Sequence, residues 1–332
     1  MSTKFLILSL VLPLTKSLQE TSCPAKCNCG FYVDALYVDC KRAGYTSIPE
    51  LPENVEYLYM QYNDMRWIDE SLNNFTAYQN LSYVNLDNNP KLSGITENIF
   101  SKNEKLEFLF MKNSGIRHFS GFTIPKMSVF EANSDSMISF DLDSFVLSNK
   151  NLKKSDGEAP VSIKIGGKQL TSINTETKYS LVPRVDISIE VAETGEFDIP
   201  KILSKFPNAR NFQMYGSWQF FGDLSLASLK FTNPFYDNLQ QFNLYAFSDI
   251  SDFLKMPVEF LPLKLTSLGL LLCQVTVMQK PALIKLFYNS FTILLQFFLE
   301  EILYRKNFNL KFLRTNSQYS SGAERSASDT FY

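Results

Sequence analysis

The side chains best equipped for chemistry in this chain are its cysteines. Four of the five fall within "CPAKCNCGFYVDALYVDC", at Cys23, Cys27, Cys29 and Cys40. Metal ligation, dithiol exchange and disulfide bonding all use such clusters. Zinc sites draw on histidine or C-x2-C pairs, but His118 is the chain's only histidine and a single residue separates Cys27 from Cys29. A redox C-x-x-C motif is absent. The compartment decides the rest. "MSTKFLILSLVLPLTKSLQE" carries Lys4, an apolar run from Phe5 to Leu14, then small residues at Thr15 and Ser17. That is the pattern of a secretory signal over 1–17, with a mature chain starting near Leu18. In an oxidising compartment the cluster reads as two disulfides, and the three possible pairings all stay open at this level.

Other reactive constellations are thin. One histidine leaves no basis for a His-based triad or for most metal centres. "KIGGKQL" has two glycines without phosphate-loop spacing. Glu300 and Glu301 are adjacent, and adjacent helix positions do not face each other. The expectation is a protein that is not an enzyme and needs no metal or cofactor. A formal charge of −2 gives no reason to expect a nucleic-acid partner, while 45% apolar residues suffice for a core. Two N-x-[ST] triplets, at Asn74 and Asn80, are candidate glycan sites.

The elements that hold the cysteines come next in the chain. "VEYLYMQYNDM" fits L-x-x-L-x-L-x-x-N-x-L through Val55, Leu58, Met60, Asn63 and Met65. "LSYVNLDNN" repeats it with Leu81, Val84, Leu86 and Asn89, then "LEFLFMKNSGI" with Leu106, Leu109, Met111, Ser114 and Ile116. "MSVFEANSDSM" follows with Met127, Phe130, Ala132, Asp135 and Met137. These starts lie 26, 25 and 21 residues apart, a leucine-rich repeat period. The pattern is looser beyond 140 and returns in "LTSLGLLLCQV". About nine repeats fill 55–280.

The template has a physical logic. Its L-x-L centre is a short strand with alternate side chains turned inward. Neighbouring strands stack into a parallel sheet, and each repeat buries its apolar residues only against the next. At the ninth position the chain leaves the sheet, and an asparagine amide can satisfy the backbone groups exposed there. Ser114, Asp135 and Ser217 can do part of this work, whereas Lys168 and Phe247 cannot, so irregular turns are expected near 168 and 247.

With these motifs the chain resembles secreted and cell-surface leucine-rich repeat proteins. The segment from Cys23 to Met65 is similar to the N-terminal cysteine-rich cap of Slit, small leucine-rich proteoglycans and Nogo-receptor-like proteins. The matching elements are C-P-x-x-C-x-C, V-x-C at Val38 and Cys40, and I-P at Ile48 and Pro49. The resemblance implies pairing of Cys23 with Cys29 and of Cys27 with Cys40. It also implies an α/β solenoid whose curved parallel sheet lines a concave face, with residues 18–54 as a disulfide-stapled lid. A solenoid otherwise ends in an open apolar face and a bare sheet edge.

The other end departs from the family. Only Cys273 is there, at an asparagine position, where we expect a buried free thiol. Segment 281–314 is apolar and expected to be helical, covering the last repeat, and 315–332 reads as a disordered tail. The stretch 282–299 is long enough to consider as a membrane anchor, but Lys285, Asn289 and Gln296 make a span costly.

Outward residues of the first four strands are the candidate ligand-binding set: Tyr57, Tyr59, Tyr83, Asn85, Asp87, Phe108, Phe110, Lys112 and Glu131. Tyr57, Tyr83 and Phe108 should stand side by side, as should Tyr59, Asn85 and Phe110. Aromatics with polar neighbours are common interface anchors, and they also protect a sheet face by stacking. The function expected is binding of a protein or matrix glycoconjugate by a secreted, extracellular chain. A membrane-anchored receptor or adhesion ectodomain is the alternative.

Overall fold

Inward-facing residues of nine successive repeats line up in one row through the core: Leu58, Val84, Leu109, Phe130, Ile163, Ile187, Phe212, Phe242 and Leu268. All are buried in this computed structural model. It describes residues 23–69, 75–154, 158–216, 225–231, 238–255, 262, 264–271 and 292–294. The leader 1–17, Asn74, Ser217, Cys273, the tail 315–332 and all of 281–314 except 292–294 lie outside the described residues.

The chain is a leucine-rich repeat solenoid. Strands β1 (Asn28–Tyr32) and β2 (Ala35–Asp39) form an antiparallel hairpin, and β2 passes the sheet on in parallel to β3 (Val55–Tyr59). Parallel pairing continues through β5 (Tyr83–Asn85), β7 (Phe108–Phe110), β9 (Val129–Asn133), β11 (Val161–Gly166) and β13 (Val185–Glu190). Last come β15 (Ala209–Tyr215), β17 (Gln241–Tyr245), β18 (Ser267–Leu271) and β19 (Thr292–Leu294). On the return side, β4 (Trp67–Ile68) pairs with β6 (Gly94–Ile95). There too, β10 (Ser139–Asp141) lies between β8 (His118–Phe119) and β12 (Ser172–Asn174). A further pair joins β14 (Glu196–Asp198) to β16 (Ser228–Lys230).

Two disulfides staple the lid, Cys23–Cys29 and Cys27–Cys40. Cys40 itself is fully buried beside Val38, so the clasp is built into the first layer of core. Phenylalanine fills the space between sheet and return side. Phe130 packs on Phe119, Phe122 and Phe145 with centroids 5.7, 5.8 and 5.1 Å away. Burying a ring of this size contributes roughly 1.5–3 kcal/mol.

The asparagine turns form as the template requires. Asn63 Nδ2 donates to Cys40 O at 2.8 Å and Met60 O at 3.0 Å, while its Oδ1 accepts from Tyr45 N at 3.0 Å. Asn89 does the same one repeat on, donating to Leu86 O and Met60 O and accepting from Met65 N. Just before these positions, Arg42, Tyr62, Asn88 and Asn113 adopt φ of 53–58°. Each sends its N–H to a carbonyl of the next strand's end.

Four expectations need correction or refinement. The buried position in the fourth repeat belongs to Ser134, not Asp135: Ser134 Oγ donates to Ser114 O, while Asp135 is exposed and pairs with Lys168. A carboxylate offers acceptors only, and the carbonyls in this turn need a donor. Near 168 the turn is irregular, as expected, and glycine supplies the geometry. Gly166 and Gly167 have φ of 111° and 150°, and a Cβ on Gly167 would sit 1.9 Å from Ser134 O. Near 247, Ala246 takes φ of 60° and the buried Phe247 bridges Ser225, whose Oγ donates to Ala192 O at 3.0 Å. Finally, Thr292–Leu294 is a strand beside β18 rather than part of a helix, in keeping with two β-branched residues in succession.

A second polar row on the return side carried no repeat signal. Asn103 donates to Phe75 O and Tyr78 O, and Asn149 to Phe122 O and Phe145 O. Next in the series is Lys205, only 1% exposed, which donates to Thr177 O and pairs with Asp143 at 2.5 Å. Burial works to raise the Asp143 carboxyl, but hydrogen bonds from Lys205 and Thr177 outweigh it and hold Asp143 below the ordinary aspartate value.

Candidate binding surface

Alternation in the strands that buries Leu58 and its equivalents turns the neighbouring residues to the opposite sheet face. There Tyr57, Tyr83, Phe108 and Val129 stand in one register row, and Tyr59, Asn85, Phe110 and Glu131 in the next. Tyr83 is the hub. Its ring centroid lies 6.0 Å from Tyr57, 5.1 Å from Tyr59, 6.1 Å from Phe108 and 5.3 Å from Phe110, with interplanar angles of 36–45°. All five rings are half-buried. Lys41 Nζ sits 4.6 Å over the Tyr59 ring, within cation–π range. Burial, followed by the proximity of Tyr83, Tyr57 and Asp39, pushes the Tyr59 hydroxyl up to about 12. Burial also raises Tyr83. Both phenols are therefore neutral donors and acceptors at physiological pH.

Beside the rings runs an ionic belt. Lys112 Nζ lies 3.2 Å from Glu131 and 3.9 Å from Asp87, and Lys164 Nζ lies 2.7 Å from the other Glu131 oxygen. Burial tends to raise Glu131, but the two ammoniums outweigh it and lower the carboxyl. Asp87 goes the other way: burial raises it despite the backbone hydrogen bond from Lys112 and the charge of its ammonium. Asp87 Oδ1 accepts from Lys112 N at 2.6 Å, and Asp87 N donates to Asn85 Oδ1 at 2.9 Å. Asn85, Asp87 and Glu131 are all buried. They brace the face from below, while the rings and the ammonium of Lys112 present its accessible surface.

The candidate set is thus brought together on one contiguous patch. Lys164, in row with Glu131, was absent from the candidates. The alternation of Val161, Ile163 and Ile165 around it was the available signal. Farther along the face, Tyr215 and Tyr245 stack at 4.6 Å and 7°, at the same template position as Gln61 and Asp87. Asn80 is half-exposed at the approach to β5, with Oδ1 accepting from Lys105 Nζ at 2.7 Å. Among the described residues no group of three His, Cys, Asp or Glu side chains is placed to hold a metal ion. No helix among them is long and apolar enough to cross a membrane.

No family model matches the chain. Part of it is similar to human keratocan, 32% identical over 100 residues that make up 30% of this chain and 27% of keratocan. Chicken and mouse keratocan are each 34% identical over 94 residues, 28% of this chain and 26% of theirs. The match therefore spans about a quarter of the length of these curated relatives.

Proposed function

We propose that this secreted, extracellular leucine-rich repeat protein works by binding a protein or matrix glycoconjugate through the sheet face of β3 to β9. One observation carries the reading: Tyr83 holds four aromatic neighbours within 6.1 Å on an accessible face bordered by ammonium groups. Clustered aromatics with polar rims are where interface energy concentrates. The rings present apolar faces for contact, and the neutral hydroxyls of Tyr59 and Tyr83 add hydrogen bonds. The belt of Asp87, Lys112, Glu131 and Lys164 holds the backbone and side chains beneath in one arrangement. The partial similarity to keratocan, a small leucine-rich proteoglycan, supports a matrix setting. Asn74 and Asn80 carry N-glycans in this reading.

The test is retention of the secreted mature chain on decellularised fibroblast matrix. Tyr83→Ala is expected to weaken retention by about 2 kcal/mol or more, whereas Tyr245→Ala leaves it unchanged. Equal retention of wild type and Tyr83→Ala contradicts the assignment. Recovery of the protein from medium rather than from alkali-washed membranes is expected, and the reverse supports the anchored alternative.

A further inference from the structure

The cap that shields the first repeat leaves an edge of its own. β1 is the outermost strand of the twelve-stranded sheet, and among the described residues nothing pairs with its outer side. Its hairpin turns through two residues, Val33 and Asp34, with Tyr32 and Ala35 as the closing pair. In such a hairpin the closing pair exchanges hydrogen bonds, and every second residue does so after it. Tyr32, Gly30 and Asn28 therefore turn their backbone groups toward β2. The N–H and C=O of Cys29 and Phe31 face outward.

An unpaired edge is a template for another strand. Proteins usually blunt it with lysine, proline or an inward charge, and "NCGFY" contains none of these. At the tip Phe31, Tyr32 and Val33 are 60%, 58% and 84% exposed. Val33 is held at φ 58°, a conformation that β-branched residues almost never adopt. The disulfides Cys23–Cys29 and Cys27–Cys40 fix the strand in place, so the edge cannot be hidden by letting the hairpin rearrange.

We propose that the occupant is a second copy of this chain, its β1 antiparallel to the first across a two-fold axis through Gly30. The register follows from the backbone. Outward-facing residues must meet each other, which pairs Cys29 of one copy with Phe31 of the other and places the two Gly30 residues at the axis as a non-hydrogen-bonded pair. That register brings Lys26, in the turn leading into β1, to the end of the new ladder at which the partner's tip carries Asp34, twice by symmetry. Both side chains are exposed, and among the described residues neither has an ion-pair partner within its own chain. Sliding the strands by one further pair of residues in either direction removes this match. Glycine at the axis permits close approach, and the Tyr37 ring already lies across Gly30, its hydroxyl 2.7 Å from where a Cβ would be. An aromatic ring laid over an edge glycine restores the cover the glycine lacks.

A contact of one short strand and a tip belongs to the small, transient class of interfaces, so dimers should appear over roughly micromolar to hundred-micromolar concentrations. Sedimentation velocity of the secreted mature chain over that range tests the proposal. Wild type is expected to shift from monomer to dimer. Phe31→Pro removes an outward N–H while sparing the bonds to β2, and should keep the protein monomeric with both disulfides and the far-ultraviolet spectrum intact. Lys26→Asp should weaken the dimer, and adding Asp34→Lys in the same chain should restore it. Tyr83→Ala, on the sheet face, should leave it unchanged. A wild type that stays monomeric throughout overturns the proposal. So does a dimer that survives Phe31→Pro, and so does failure of the charge swap to restore association.

Discussion

The repeats from β3 to β9 and those from β11 to β18 share one sheet and one inward row of apolar side chains, yet they solve the same turn problem differently. In the first region Asn63 and Asn89 each satisfy two carbonyls and an amide with one side chain. In the second, Gly166 and Gly167 reshape the backbone and Ser225 supplies a single hydroxyl donor. The return side changes as well, from the amides of Asn103 and Asn149 to the buried pair of Lys205 and Asp143. Strand register in a solenoid depends on the inward row of apolar side chains, which both regions keep. The turn needs only a donor and a permissive backbone, and several residue types provide them.

The largest effect is expected from removing the polar unit peculiar to the second region. Lys205→Ala leaves Asp143 buried without its cation and should cost about 3–5 kcal/mol, read as a lower denaturant midpoint. Lys205→Met combined with Asp143→Leu should recover most of that loss. Next in size is Asn89→Ala, which strands two carbonyls and the Met65 amide. A loss of about 2–3 kcal/mol is expected there, against about 1 kcal/mol for Ser225→Ala. Equal losses would mean that the two kinds of turn are energetically alike.

A pH series sharpens the same contrast. Asp143 is held below its ordinary value of 3.8 in the folded chain. Its contribution is thus fully present above that value, and it is lost as pH falls from there through the lower native value, because the unfolded chain takes up the proton first. The Lys205→Met, Asp143→Leu variant should lack this part of the acid-side decline in midpoint. The smallest effect belongs to the exposed pair of Lys168 and Asp135. Lys168→Ala should shift stability by less than about 1 kcal/mol, although the neighbouring Gly167→Ala drives a Cβ into Ser134 O and should be poorly tolerated.

Much of the architecture was legible because two periodicities coincide: the alternation within each strand and the recurrence of Asn at the ninth position. Together they placed Tyr57 beside Tyr83 and Tyr59 beside Asn85. Ser134 was missed because the turn slips by one residue, and a template with fixed offsets selects Asp135 instead. Lys205 was unreadable for a different reason. Return segments vary in length and conformation, so no fixed offset marks the side chain that reaches Asp143. The burial of Asn85, Asp87 and Glu131 was equally hidden, since strand alternation gives the face of a side chain but not the height of its neighbours.

The proposed docking surface is the aromatic part of the sheet face and not its later part. Hydroxyl-radical footprinting of the mature chain bound to decellularised matrix tests this most directly. Protection is expected at Tyr57, Tyr59, Tyr83, Phe108 and Phe110, with Tyr215 and Tyr245 labelled as in the free protein. Protection confined to Tyr215 and Tyr245, or to residues on the return side such as Trp67, would contradict it.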